Sequence, residues 1–190
     1  MAVDRRARAR HWLGTNRSRW TAVVCAVALG ISCSRSADAQ SLSGNVFAGA
    51  GVFKCCEGHT GAWQVGGGVD IPVVAGVSVS GDFGLVGPTG DGIVRERSGY
   101  ASFGNGRLLP FNASYRFNRH DAHQPWPFLT GGTGVIFGRR DAIVGGLNVG
   151  GGIDWWLRER RGVRVEVRDQ LLEEFDGSHL VTLRVGFIFR

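Results

Sequence analysis

From residue 40 onward the chain alternates apolar and polar side chains one by one, in runs about ten residues long, and no stretch of helical length carries a 3.6-residue apolar stripe. Period-two alternation belongs to an extended strand whose two faces meet different surroundings. The first run, 44–53, sets Val46, Ala48, Ala50 and Val52 on one face. The second, 62–71, sets Trp63, Val65, Gly67, Val69 and Ile71 against Gln64, Gly66, Gly68 and Asp70. The third, 74–85, sets Val77, Val79, Phe83 and Leu85 against Ser78, Ser80 and Asp82. The fourth, 107–117, sets Leu109, Phe111, Ala113, Tyr115 and Phe117 against Asn112, Ser114 and Arg116. The fifth, 127–138, is glycine-rich and its facing is not fixed. The sixth, 145–157, sets Leu147, Val149, Ile153, Trp155 and Leu157 against Asn148, Gly150, Gly152 and Asp154. The seventh, 163–171, sets Val163, Val165 and Val167 against Arg164, Glu166 and Arg168, and the eighth, 179–189, sets Val181, Leu183, Val185, Phe187 and Phe189 against Thr182, Arg184 and Gly186. An even number of strands suits a closed up-and-down barrel.

The connections divide into two kinds. Short links are expected at "PVV" near 72, at "RERRG" (158–162) and at "NRHDAHQPW" (118–126), and the long segment 87–106 has room for a hairpin of its own. No linker or second domain is visible in 40–190.

Alternation alone does not say whether the apolar face is a core or an exterior; the polar face decides. Runs of nine to eleven residues match a tilted crossing of a hydrocarbon layer, whereas soluble strands average about five or six residues. Trp63, Tyr115, Phe117, Trp155, Phe187 and Phe189 lie on the apolar faces near run ends, where interfacial aromatics sit in membrane barrels. The polar faces hold Asp70, Asp82, Asp154 and Glu166 against Arg116, Arg164, Arg168 and Arg184, a balanced set. A solvated face needs no such balance, but an enclosed lumen does, because an unpaired buried charge is costly. The expected fold is therefore all-β: an eight-stranded antiparallel transmembrane barrel with these eight residues as a charge network in the lumen. Arg168, among Glu166, Arg164 and Arg184, needs an acid from an adjacent strand.

Two near-identical heptads, "VGGGVDI" at 65–71 and "VGGGIDW" at 149–155, fit this setting. The apolar residues face lipid, the aspartates point inward to arginines, and the inward glycines clear space for large neighbours in a narrow interior. A phosphate cradle is excluded, since no Lys-Ser/Thr follows the glycines and they lie inside strands.

Residues 1–39 read as a secretory signal: an arginine-rich stretch, the apolar "TAVVCAVALGISC", and "SADA" as a small-x-small cleavage site, leaving Gln40 first. Thirteen mostly apolar residues are too few for a helix that needs ~20 to cross a membrane. The formal charge of +6 is concentrated here, seven arginines against two aspartates, while the remainder holds 15 basic and 14 acidic residues. Nucleic acid as a partner loses its support. Of four cysteines only the adjacent Cys55 and Cys56 remain, and "CCEGH" reads as a polar loop tip rather than a metal site.

The closing "LVTLRVGFIF", preceded by "GVRVEVRDQ", together with the signal and the eight runs, resembles the small outer-membrane β-barrels of Gram-negative bacteria, the OmpA/OmpX type, over essentially 40–190. The resemblance implies an outer-membrane location, outer-membrane lipid as surroundings and the barrel assembly machinery as a partner during insertion. It implies little about activity, since the family holds anchors, adhesins, small pores and a few lipid-modifying enzymes. Two departures stand out: Phe189 is followed by Arg190 where the family's last strand ends on an aromatic, and the parity points Asp169 outward.

Ser178, His179, Glu173 and Glu174 are the residues an enzyme would use, but Ser178 and His179 are neighbours and face opposite ways on a strand. His120 and His123 in "HDAH" read as a polar turn. The expected protein is non-enzymatic, without metal or cofactor, in a structural or surface-interaction role with a side-chain-filled lumen. A narrow passive pore is the alternative, and a lipid-modifying enzyme a more distant one. The loops' partner is not legible.

Overall fold

The computed structural model describes residues 42–55, 58–96, 99–102, 104–117, 124–138, 143–172 and 178–190. Residues 1–39, read above as a signal, and Cys56, His120, His123, Glu173 and Glu174 lie outside the described residues. The described residues form ten strands in chain order: β1 (Ser43–Cys55), β2 (Gly58–Val74), β3 (Val77–Pro88), β4 (Ile93–Glu96), β5 (Gly99–Ser102), β6 (Gly106–Arg116), β7 (Pro125–Phe137), β8 (Ile143–Arg158), β9 (Arg161–Leu172) and β10 (Ser178–Phe189). Eight of them close a barrel in the order β1-β10-β9-β8-β7-β6-β3-β2, every neighbouring pair antiparallel. β4 and β5 form a separate two-stranded hairpin within 87–106.

The two faces of each strand are sorted as the alternation requires. Phe83, Phe111, Leu129, Val149, Trp155 and Phe187 stand on the exterior, Phe187 being 68% exposed. Asp70, Asp82, Asp154, Glu166, Arg168 and Arg184 are buried in the interior. A water-soluble domain has the reverse arrangement, and only lipid accepts so continuous an apolar exterior without cost. The glycine-rich β7, whose facing the sequence left open, turns Trp126, Phe128 and Thr130 inward and Leu129 outward. Trp155 faces out at 55% exposure, whereas its neighbour Trp156 is buried inside; Trp63 is half-buried on the exterior side.

One expected turn is displaced. Pro72 lies within β2, not at its end; the register against β3 shifts between Pro72 and Val74, and the turn falls at Ala75–Gly76. A proline has no N–H for the ladder and is tolerated where a bulge leaves a residue unpaired. Gly76 takes φ +80°, open to glycine at no cost, and its carbonyl accepts from Arg116 N at 2.8 Å. The β8–β9 hairpin repeats this design: its register shifts between Trp156 and Arg158, and residues 159–160 make the turn. Asp70 and Asp154 thus stand at the same distance before their bulges and turns.

Variants retaining a single tryptophan test the facing. Brominated acyl chains should quench Trp155 strongly and leave Trp126 and Trp156 largely bright. Equal quenching of all three, or none of Trp155, would contradict the sorting of faces.

Candidate functional site

The eight inward charges gather into two closed groups, each of two arginines and two carboxylates. In the first, Arg116 donates from Nη2 to Asp70 Oδ2 (2.8 Å) and from Nε to Asp154 Oδ2 (3.0 Å). Arg164 donates to the same two acids, from Nη2 to Asp70 Oδ2 (2.8 Å) and from Nε to Asp154 Oδ1 (2.6 Å). Arg116 also donates to the Ser78 hydroxyl. In the second group Arg168 meets Asp82 Oδ2 (3.0 Å) and Glu166 Oε1 (2.6 Å), and Arg184 meets Asp82 Oδ2 (3.3 Å) and Glu166 Oε2 (3.5 Å). Each arginine therefore touches both acids of its group, and each group is neutral. The guanidinium of Arg184 lies 3.5 Å from the centre of the Phe47 ring, and that of Arg164 lies 5.0 Å from Phe128, a desolvated placement that suits a planar cation.

The partner of Arg168 corrects the expectation of an acid from an adjacent strand. Asp82 belongs to β3, which is four places from β9 in the barrel order whichever way it is counted. The pair crosses the lumen from wall to wall. Its other acid, Glu166, comes from its own strand, two residues away. An eight-stranded barrel is narrow enough for a long arginine to reach the far side.

The paired heptads build both groups. Asp70 and Asp154 supply the acids of the first. The residues opposite the last glycine of each heptad, Asp82 across from Gly68 and Glu166 across from Gly152, supply those of the second. A Cβ on Gly152 would stand 2.1 Å from the Val165 carbonyl oxygen and 2.8 Å from Glu166 Cα, and one on Gly68 would stand 2.1 Å from Asp82 Oδ1. Glycine is what allows the acids to lie so close to the opposing strand.

Apolar layers lie on either side of the charges, and the sequence reading did not name them. At the end bearing the β4–β5 hairpin, Phe53, Cys55, Val86, Leu108, Leu172 and Leu180 form a buried cluster. Cys55 is thus a core residue at the end of β1, 1% exposed, rather than part of a polar loop tip. A buried thiol behaves as a small apolar group. At the opposite end Trp126 and Trp156 pack with ring centroids 6.0 Å apart against Ile188, and Arg190 covers Trp156 at 4.0 Å and Trp126 at 5.2 Å. Counting inward parity to the run ends would have found Trp156, Leu172 and Leu180, because there both faces are apolar.

The residues suggested for catalysis do not converge. Ser178 is fully buried inward, while His179 faces outward and pairs through Nδ1 with Asp169 Oδ2 at 2.9 Å. That pair also answers why an outward carboxylate is tolerated beside Val149 and Val181.

The closed charge groups should resist removal of one member more than any exterior change. Arg168→Leu strands Asp82 and Glu166 with one arginine and should destabilise the barrel by ~3–5 kcal/mol, while Val167→Leu should change little. Gly152→Ala should cost more than Gly145→Ala, where an added methyl meets nothing within 4 Å. Urea unfolding in vesicles measures all four; equal midpoints would deny the network its structural weight.

No protein-family model and no curated protein matches the chain. Solved structures do. The N-terminal β-barrel domain of Pseudomonas aeruginosa OprF matches at 18% identity and TM-score 0.51, covering 77% of this chain and 97% of that one. Neisserial surface protein A (NspA) matches at 11% identity and TM-score 0.62, covering 78% and 96%. The outer membrane protein OprG of Pseudomonas aeruginosa matches at 11% identity and TM-score 0.52, covering 78% and 93%. In fold, then, the chain is a closed eight-stranded antiparallel β-barrel of the kind found in these small barrel proteins.

Proposed function

We propose that the protein is an integral outer-membrane barrel, exported by the signal at 1–39, with a structural or surface-interaction role and a lumen closed to solutes. The observation that carries this reading is the interior. Two neutral charge groups, tied across the lumen, lie between an apolar cluster at one end and a tryptophan pair at the other. A void of about 10 Å³ beside Asn45, Phe47, Arg164, Glu166 and Arg184 has room for about one water. The apolar exterior and the likeness to outer-membrane barrels support the location.

The role we infer is not enzymatic; in support, Ser178 is buried inward while His179 faces outward onto Asp169, so the two do not form a nucleophile–base pair. Outer-membrane lipid surrounds the barrel, the assembly machinery inserts it, and the end with the β4–β5 hairpin faces the cell exterior. That hairpin extends the segment best placed to meet a surface partner.

Fractionation of cells making the full chain should place it in the outer membrane, with Gln40 as the first residue of the mature protein. Purified protein in a planar bilayer should show negligible conductance. A stable, well-defined open channel would replace this reading with that of a narrow passive pore, and an uncleaved chain in the cytoplasm would overturn the location.

A further inference from the structure

On the inner wall at the seam where β1 meets β10, Gly186 is a position without a side chain. Its direct cross-strand neighbours are Phe47 on β1 and Arg164 on β9. A Cβ at 186 would stand 2.4 Å from the Val46 carbonyl oxygen, so the strands meet here too closely for any other residue. The longer side chains around the glycine, Asn45, Glu166 and Arg184 among them, enclose the void of about 10 Å³. β1 supplies no member of either charge group. It meets the network through Asn45 at this void and through the Phe47 ring under the Arg184 guanidinium.

Two of the residues lining the void carry a donor that no protein atom accepts from. Among the described residues, Asn45 Nδ2 and Arg184 Nε are buried without a hydrogen bond, and the two residues are 4% and 3% exposed. A buried donor left in that state bears its whole desolvation cost. Arg168, in the same charge group, differs: its Nε donates to Glu166 Oε1 at 2.7 Å. Glu166 also lines the void, and its Oε2 meets Arg184 Nη1 at 3.5 Å, long for a hydrogen bond, so it keeps capacity to accept. A ligand here must accept twice and do so beside a carboxylate. An anion fails the second condition, because the charge group is already neutral and a further negative charge would be buried uncompensated against Glu166. A water meets both conditions, and three hydrogen bonds are the usual number for a buried water.

We propose that the seam of the barrel binds a single water, which accepts from Asn45 Nδ2 and Arg184 Nε and donates to the Glu166 carboxylate. The inference rests on the closed lumen inferred above and is independent of which membrane the barrel occupies. Arg164 of the first charge group lines the same void as Glu166 and Arg184 of the second, so the water stands beside members of both. It brings β1 into the polar network at the junction that closes the sheet.

The test uses the full mature chain, nitrogen-15 labelled and folded in phospholipid nanodiscs, with dipolar contact to water read by NMR at the side-chain N–H groups. Asn45 Nδ2 and Arg184 Nε should show contact with a long-lived water, and Arg168 Nε should show none. In Asn45→Leu, which removes one anchor of the water, the Arg184 Nε–H should exchange with solvent about tenfold faster while that of Arg168 is unchanged. Should that variant not fold, the contrast between Arg184 and Arg168 in the native protein decides alone. Absence of water contact at Arg184 Nε, or unchanged exchange in a folded Asn45→Leu, would overturn the site and leave the closed lumen intact. Movement of the Asn45 and Arg184 resonances as chloride is replaced by bromide would give the site to an anion and overturn the water. Equal water contact at Arg168 and Arg184 would mark a wet lumen, and the closed-lumen reading would fall with the site.

Discussion

Closure of the sheet is the condition on which everything else in this molecule depends. Residues Gly44–Lys54 of β1 pair with His179–Phe189 of β10, so the first and last strands leave no open edge. In hydrocarbon no water is present to satisfy a free N–H or carbonyl, and only a helix or a closed barrel removes them all. Once the sheet closes, period-two alternation acquires a fixed meaning: one face is lipid's, the other encloses a narrow interior. Every unusual feature of the interior follows from that narrowness.

Four arginines and four carboxylates inside would be ruinous unpaired, and paired they still bring no great net stability over a well-packed apolar interior. Their value lies in specificity. Slipping β9 by one residue against either neighbour would carry Arg164, Glu166 and Arg168 to the lipid face and bring valines inside. Slipping it by two keeps the facing but moves Arg164 off Asp154 and Glu166 off Gly152, so the pairs of both charge groups are lost together. The cross-lumen pairs therefore reward one register of strands that are four places apart as well as of neighbours. The two heptads show the same solution applied to two hairpins, down to the offset of the bulge.

Facing was legible in the sequence; partnership was not. Alternation placed Asp70, Asp82, Arg116, Asp154, Arg164, Glu166, Arg168 and Arg184 on the face the structure turns inward, because parity depends only on local extension. It could not show that Arg168 reaches Asp82, since that contact depends on where the barrel order brings β3. Pro72 misled as a strand end because proline usually ends pairing, yet a bulge absorbs it. Cys55 misled because its neighbours in sequence are polar while its neighbours in space are Phe53, Leu172 and Leu180. At the barrel ends both faces of a strand become apolar, and there the alternating signal fades.

The last two described residues, Phe189 and Arg190, divide between the two faces of the barrel. Phe189 still pairs with Gly44 and Arg161 and keeps its ring on the exterior, 48% exposed, beside Phe187 on the same face. Arg190 does not extend that exterior row. Its N–H is held by the Arg160 carbonyl at 3.2 Å, and its guanidinium turns onto Trp156 and Trp126. A cation over two indole faces gains from their quadrupoles. The arginine thus belongs to the interior and the neighbouring phenylalanine to the exterior, so β10 presents an aromatic to lipid at its last position.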